Sequence, residues 1–224
     1  MRIKKIIKYE LSENSLEKDI DHFIKGAKRG KFAWDSKYEN EGLKIIKAYF
    51  RMIQEKFNKN EYDECKNCYH KLILFLFDAS RGDNNANFGY EDLLAKISDN
   101  FDKFIRNYFI CLVKACKSDE FLEKVLEYAA RLKEYGFNSD IEILLKNLDK
   151  EKLERLEKKM LEKTKDLAKN DENKQDILYF LIYLAGAEKN KDKYLQLCNQ
   201  FKDILDEREL NYLKGEYKEY EREY

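Results

Sequence analysis

A chain of 224 residues with 43% hydrophobic and 39% charged side chains carries enough apolar mass for one substantial core, and its 44 basic and 44 acidic residues cancel. That balance argues against the bulk electrostatic attraction on which sequence-independent nucleic-acid binding rests. With no proline and only 8 glycines among many Leu, Lys and Glu, the punctuation of β-hairpins is missing and an all-α fold is expected.

The opening MRIKKIIKYEL is basic and breaks its apolar run with charges, unlike a signal peptide. The spacing then predicts a helix after Asn14, with Glu17 as capping partner and Leu16, Ile20, Phe23, Ile24 and Ala27 on one stripe, ended by GAKRG. Ser36 and Glu39 repeat the capping pattern and open a helix to about Phe57 that buries Tyr38, Ile45, Ile46, Tyr49, Met52 and Ile53. A third helix runs from near Glu61 through LILFLF to about Asp78; its far end is apolar nearly all round, which places it at the centre of the fold. LILFLF is also far short of the roughly 18 apolar residues that span a bilayer, so the chain reads as cytoplasmic.

SRGDNNANFG reads as a loop. From Tyr90 to Cys116 the positions Leu94, Ile97, Phe101, Phe104, Tyr108 and Cys111 alternate steps of three and four, one buried helical stripe. Ser118 restarts the chain in a helix carrying Phe121, Val125, Tyr128, Ala129 and Leu132, which Gly136 stops, with Phe137 placed to pack on Leu132. Ser139 and Glu142 cap a short helix. The highly charged helix after Asp149 has a narrow stripe of Leu153, Leu156, Met160 and Leu167, with Glu151 to Arg155 and Glu154 to Lys158 as favourable pairs. Helices near 172–186, 190–205 and 207–221 complete the chain, the last capped by Asp206 and Glu209. The whole is about ten antiparallel helices, as stacked hairpins or an irregular bundle: a single all-helical domain over 1–224, or sub-units 1–117 and 118–224.

CKNCYH, Cys65 to His70, is where metal-binding and redox residue types crowd together. On a helix turning about 100° per residue, Cys65 and Cys68 share a face and His70 lies roughly 200° away from Cys68. A zinc site needs about four ligands and a thioredoxin-type pair needs a preceding strand, so these read as buried helix cysteines. Cys111 and Cys116 are five residues apart, a poor same-face spacing. Five cysteines without an export signal do not read as a disulfide framework. Asp83, Asn85 and Asn87 alternate as calcium-loop ligands do, but Phe88 stands where that loop needs Gly and Leu94 where it needs Glu, leaving an Asn-rich turn.

Phosphate loops, HExxH and GxSxG are all missing from the sequence. A helical ribonuclease of the HEPN type needs Arg four to six residues before His. Before His22 stand Leu16, Glu17 and Lys18; before His70 stand Glu64, Cys65 and Lys66. The reading is therefore non-enzymatic, with no catalytic, cofactor or metal residues assigned.

Widened to NEYDECKNCYHKLILF, the segment resembles the second half of a tetratricopeptide repeat. Tyr62, Asp63 and Glu64 match directly, Cys65 takes the small-residue position and Tyr69 the aromatic one. In the helix before, Tyr49 stands for the first aromatic and Met52 for the Leu, while Ile53 sits where a small residue is usual and the terminal Pro is absent. The resemblance covers about residues 46–79, with a fainter echo in Leu178 to Leu205 around EKNKDK. It implies a scaffold or adaptor that binds a protein or peptide partner.

The runner-up is an RNA-associated protein using the basic N-terminal third: Arg2 to Lys8, then Lys25, Lys28, Arg29 and Lys31, with Phe32 and Trp34 nearby. A Tyr stripe at 217, 220 and 224 needs cover from the preceding helix or from a second subunit, so a homo-oligomer stays open. The abundance of Lys, Glu, Ile and Tyr and the scarcity of Gln match the profile of heat-loving sources.

Overall fold

The structure, a computed structural model, describes residues 15–33, 36–82, 86, 88–90, 92–132, 137, 139–169, 171–205 and 207–220, except the side chains of 39, 40, 209, 214 and 216–220. Among these residues there are eleven helices and no strand, so the fold is all-α. No helix among them is long and apolar enough to cross a membrane. They fall into two compact units divided between Ala115 and Cys116.

The first unit holds α1 (Leu16–Lys28), α2 (Glu39–Asn58), α3 (Tyr62–Arg81), α4 (Leu93–Ile97) and α5 (Asp102–Ala115). Its packing follows the chain: α1 lies on α2 and α3, α2 on α3 and α4, and α3 on α4 and α5. LILFLF makes α3 the centre, as its all-round apolarity predicts; Leu72, Ile73, Leu76 and Phe77 are fully enclosed. Aromatic rings fill the spaces between helices, with Phe23 edge-on to Tyr49 and Phe75, and Phe50 stacked on Phe104.

Local chemistry moves three of the expected boundaries here. Ser15 caps α1, accepting the Lys18 N–H at 3.3 Å, in place of Asn14, which lies outside the described residues. Ser36 does not open α2. Its hydroxyl donates to the Lys31 carbonyl and accepts the Tyr38 N–H, so a turn forms, the helix starts at Glu39, and Tyr38 stays 36% exposed. The single helix expected from Tyr90 to Cys116 is two, because Ser98 is extended and Asn100 caps the new start by accepting the Lys103 N–H at 3.2 Å. The apolar stripe runs across that break. Of the Asn-rich turn, Asp83, Asn85 and Asn87 lie outside the described residues; α3 reaches Arg81 and ends on Gly82 in the left-handed conformation.

The second unit holds α6 (Ser118–Ala129), α7 (Ser139–Asn147), α8 (Lys150–Asp166), α9 (Glu172–Ala187), α10 (Lys191–Gln200) and α11 (Glu207–Tyr220). Helix α9 takes the central place, against α6, α7, α8 and α10, while α6 also meets α8, and α10 meets α11. Helix α6 stops at Ala129, short of Gly136, which lies outside the described residues, and α10 stops at Gln200. Asp149 caps α8, and Thr164 takes the seam position expected of Leu167, which falls past the helix end. Arg155 does not pair within its helix; it reaches Asp119 and Ser118 of α6 at 2.7 and 3.2 Å. Asp206 and the side chains of the Tyr stripe lie outside the described residues.

Candidate functional site

CKNCYH lies inside α3. Cys65 and Cys68 are fully buried. The Cys65 thiol contacts the Ile53 carbonyl of α2 at 3.6 Å and hydrogen-bonds Cys111 of α5, which pulls its pKa down, while burial pushes the Cys68 thiol up. His70 is half-buried, its Nδ1 2.6 Å from the Tyr108 hydroxyl of α5. Among the described residues no three His, Cys, Asp or Glu are placed to hold a metal ion. The meeting of Cys65 with Cys111 is invisible in the spacing, because it joins two helices; the only signal was that each sits on its own helix's apolar stripe.

The rest of the repeat-like segment builds one helical hairpin. Cys65 packs against Ile53 of α2, and Tyr69 is fully buried with its hydroxyl 3.4 Å from the Asn107 amide, which Gln54 also accepts at 2.8 Å. Burial drives the Tyr69 phenol pKa up. Across the turn, Lys56 bridges Glu64 and Glu61 at 2.7 and 3.0 Å, and these carboxylates raise its pKa. Lys66, buried at 6% exposure, ties Asp63 to the last carbonyl of α5, that of Ala115, at 2.9 and 3.1 Å.

The turn itself is a Schellman ending: Asn60 is left-handed at φ 62°, with Asn60 N–H on the Phe57 carbonyl and Glu61 N–H on the Lys56 carbonyl. The turn between α9 and α10, in the fainter echo, has the same construction. Lys189 is left-handed at φ 57°, and the N–H groups of Lys189 and Asn190 bond the Gly186 and Ala185 carbonyls. Counting from the left-handed residue, Tyr194 stands where Cys65 does, and Lys193 where Glu64 does. Lys193 closes that turn with charges reversed, on Glu188 at 2.8 Å and on Glu157 of α8.

A cleft of about 680 Å³ opens in the first unit along α1, the segment after it and α2. Its floor is lined by the buried Phe23, Phe32, Tyr49 and Asp19, and the Tyr49 hydroxyl donates to the Asp19 carboxylate at 2.8 Å. Ile45 forms a wall, and His22, Lys25, Arg29 and Lys31 stand at the rim, all exposed. Part of the basic segment singled out in the sequence is thus gathered at one recess. Lys28 does not line it, and residues 1–14 and Trp34 lie outside the described residues. Gly42 of α2 lets Phe32 settle, since a Cβ there would lie 2.9 Å from the Phe32 Cβ and 2.8 Å from the Phe88 ring. Sequence reasoning missed the recess because Ile45 and Tyr49 read as core positions on α2, while Asp19 and Gly42 gave no signal in the spacing.

Comparison of the chain with protein-family models, with curated proteins and with solved structures gives no match.

Proposed function

We propose that this chain is a non-enzymatic helical-repeat scaffold or adaptor, working in the cytoplasm, that holds a protein or peptide partner. The observation that carries this reading is the order of packing in the first unit, where each of α1, α2 and α3 lies on the next helix and the next but one. Hairpins stacked along a chain pack in that order, and such arrays present extended surfaces on which partners lie. The resemblance of the α2–α3 hairpin to a tetratricopeptide repeat, and the matching turn between α9 and α10, support the same reading.

RNA association is the second reading, favoured by the gathering of Lys25, Arg29 and Lys31 at one cleft. It is weakened by Phe32, which is only 4% exposed, stacked on Phe23 at 4.8 Å and covered by the Lys31 ammonium at 5.3 Å, leaving little for a base to stack on. Capture from a native extract at moderate salt, with and without nuclease, separates the two. A near-stoichiometric protein retained after nuclease is the expected result; RNA retained with steep salt dependence, and no protein, would favour the second.

A further inference from the structure

We propose that the cleft between α1 and α2 is a binding site for a small organic anion, whose apolar or aromatic body rests on the floor and whose charged head lies between Lys25 and Arg29. This is independent of the scaffold reading: it concerns a ligand held inside the first unit, not a partner laid along the array.

Three observations carry it. The volume, about 680 Å³, is that of a ligand pocket, and its lining combines an apolar floor with a few convergent polar groups. The floor is preformed: Phe23 stacks on Phe32 at 4.8 Å and stands edge-on to Tyr49 at 5.6 Å, while Tyr49 is pinned by its bond to Asp19. A ligand entering it has little side-chain ordering to impose. Two of the cations at the rim are uncommitted, whereas Lys31 lies over the Phe32 and Tyr38 rings. Among the described residues Lys25 and Arg29 make no ion pair, although Lys71, on α3, bridges Glu17 and Asp21 of the same helix α1 at 2.8 and 2.6 Å.

The chemistry of the ligand follows from the same contacts. The cations at the mouth select a carboxylate, sulfonate or phosphate head. Phe32 is stacked on Phe23, carries the Lys31 ammonium over its ring and is only 4% exposed, so the ligand's body meets little open ring face and a compact apolar group fits better than a stacked nucleobase.

The test titrates the full chain with the fluorescent anion 8-anilinonaphthalene-1-sulfonate and, in parallel, with neutral N-phenyl-1-naphthylamine. One saturable site for the sulfonate is expected, with decanoate displacing it and inorganic phosphate at equal concentration failing to. In the exposed-residue variant Lys25→Gln/Arg29→Gln, sulfonate affinity falls about tenfold or more while the neutral dye is bound as before, since a charge-assisted contact carries about that factor. Ile45→Asn, on the apolar wall, weakens both dyes. Circular dichroism confirms that each variant keeps its helical signal. Equal sulfonate binding by native chain and Lys25→Gln/Arg29→Gln, no saturable binding at all, or displacement by an oligoribonucleotide but not by decanoate would each overturn the proposal.

Discussion

Tyr49 spends its hydroxyl on the buried Asp19 carboxylate, and Tyr128 does the same for Asp140 in the second unit, again at 2.8 Å. A buried carboxylate losing such a donor costs more than the bond itself. Tyr49→Phe is therefore expected to lower stability by about 1–3 kcal/mol in urea denaturation. Within α3 the two residues that drew attention to CKNCYH differ in weight. Tyr69 is wholly enclosed and packs on the Phe50 ring at 6.3 Å, so Tyr69→Ala should cost roughly 3 kcal/mol or more through the cavity it leaves. Cys65→Ala should leave the fold nearly intact; release of metal or failure to fold on that substitution would overturn the reading of this segment as the inside of a hairpin.

The helices are set by chemistry at their ends as much as by their stripes. Lys189 holds a left-handed conformation that costs a side-chain-bearing residue about 1 kcal/mol, so Lys189→Gly should raise the thermal midpoint, whereas Asn60→Gly should change little because Asn tolerates that region. Gly42→Ala, by contrast, is expected to destabilise despite its better helix propensity, by about 1–3 kcal/mol, because the new methyl meets Phe32 and Phe88. At the start of α8 the Lys152 backbone N–H, chiefly, holds the Asp149 carboxyl below its ordinary range. The stabilisation is therefore present above the unfolded pKa of about 4 and is lost as pH falls through the lower folded value. The amide protection factors in the first turn of α8, which are exchange rates corrected for the pH dependence of the intrinsic rate, should fall on acidification in the native chain and show no such step in Asp149→Asn. Much at this scale was legible: the stripe of α1, the start of α8 after Asp149 and the central place of LILFLF all follow from spacing and residue type. The breaks were harder. A stripe from Leu94 to Cys111 stays in phase across the extended Ser98, so periodicity alone could not see two helices. Ser36 offered a cap that its own bonds to Lys31 and Tyr38 consume, a competition visible only once the turn has formed.

Over the whole molecule, 44 basic and 44 acidic side chains leave no net charge to attract a polyanion, and the described residues build helices in two units, each around one apolar helix, α3 or α9. The break between α2 and α3 was readable from the sequence because NKN, and the apolar stripes on either side of it, are local signals. The cleft was not, since its floor and rim come from α1, α2 and the chain between them, which only the fold brings together. The central claim is that the array serves to hold another protein. It is tested most directly by capture from a nuclease-treated native extract at moderate salt, followed by recombination of this chain with the purified captured protein and measurement of the complex mass by sedimentation. A defined complex of fixed stoichiometry that re-forms from the two pure components is the predicted result; no protein captured under any condition, or one that fails to recombine, would contradict it.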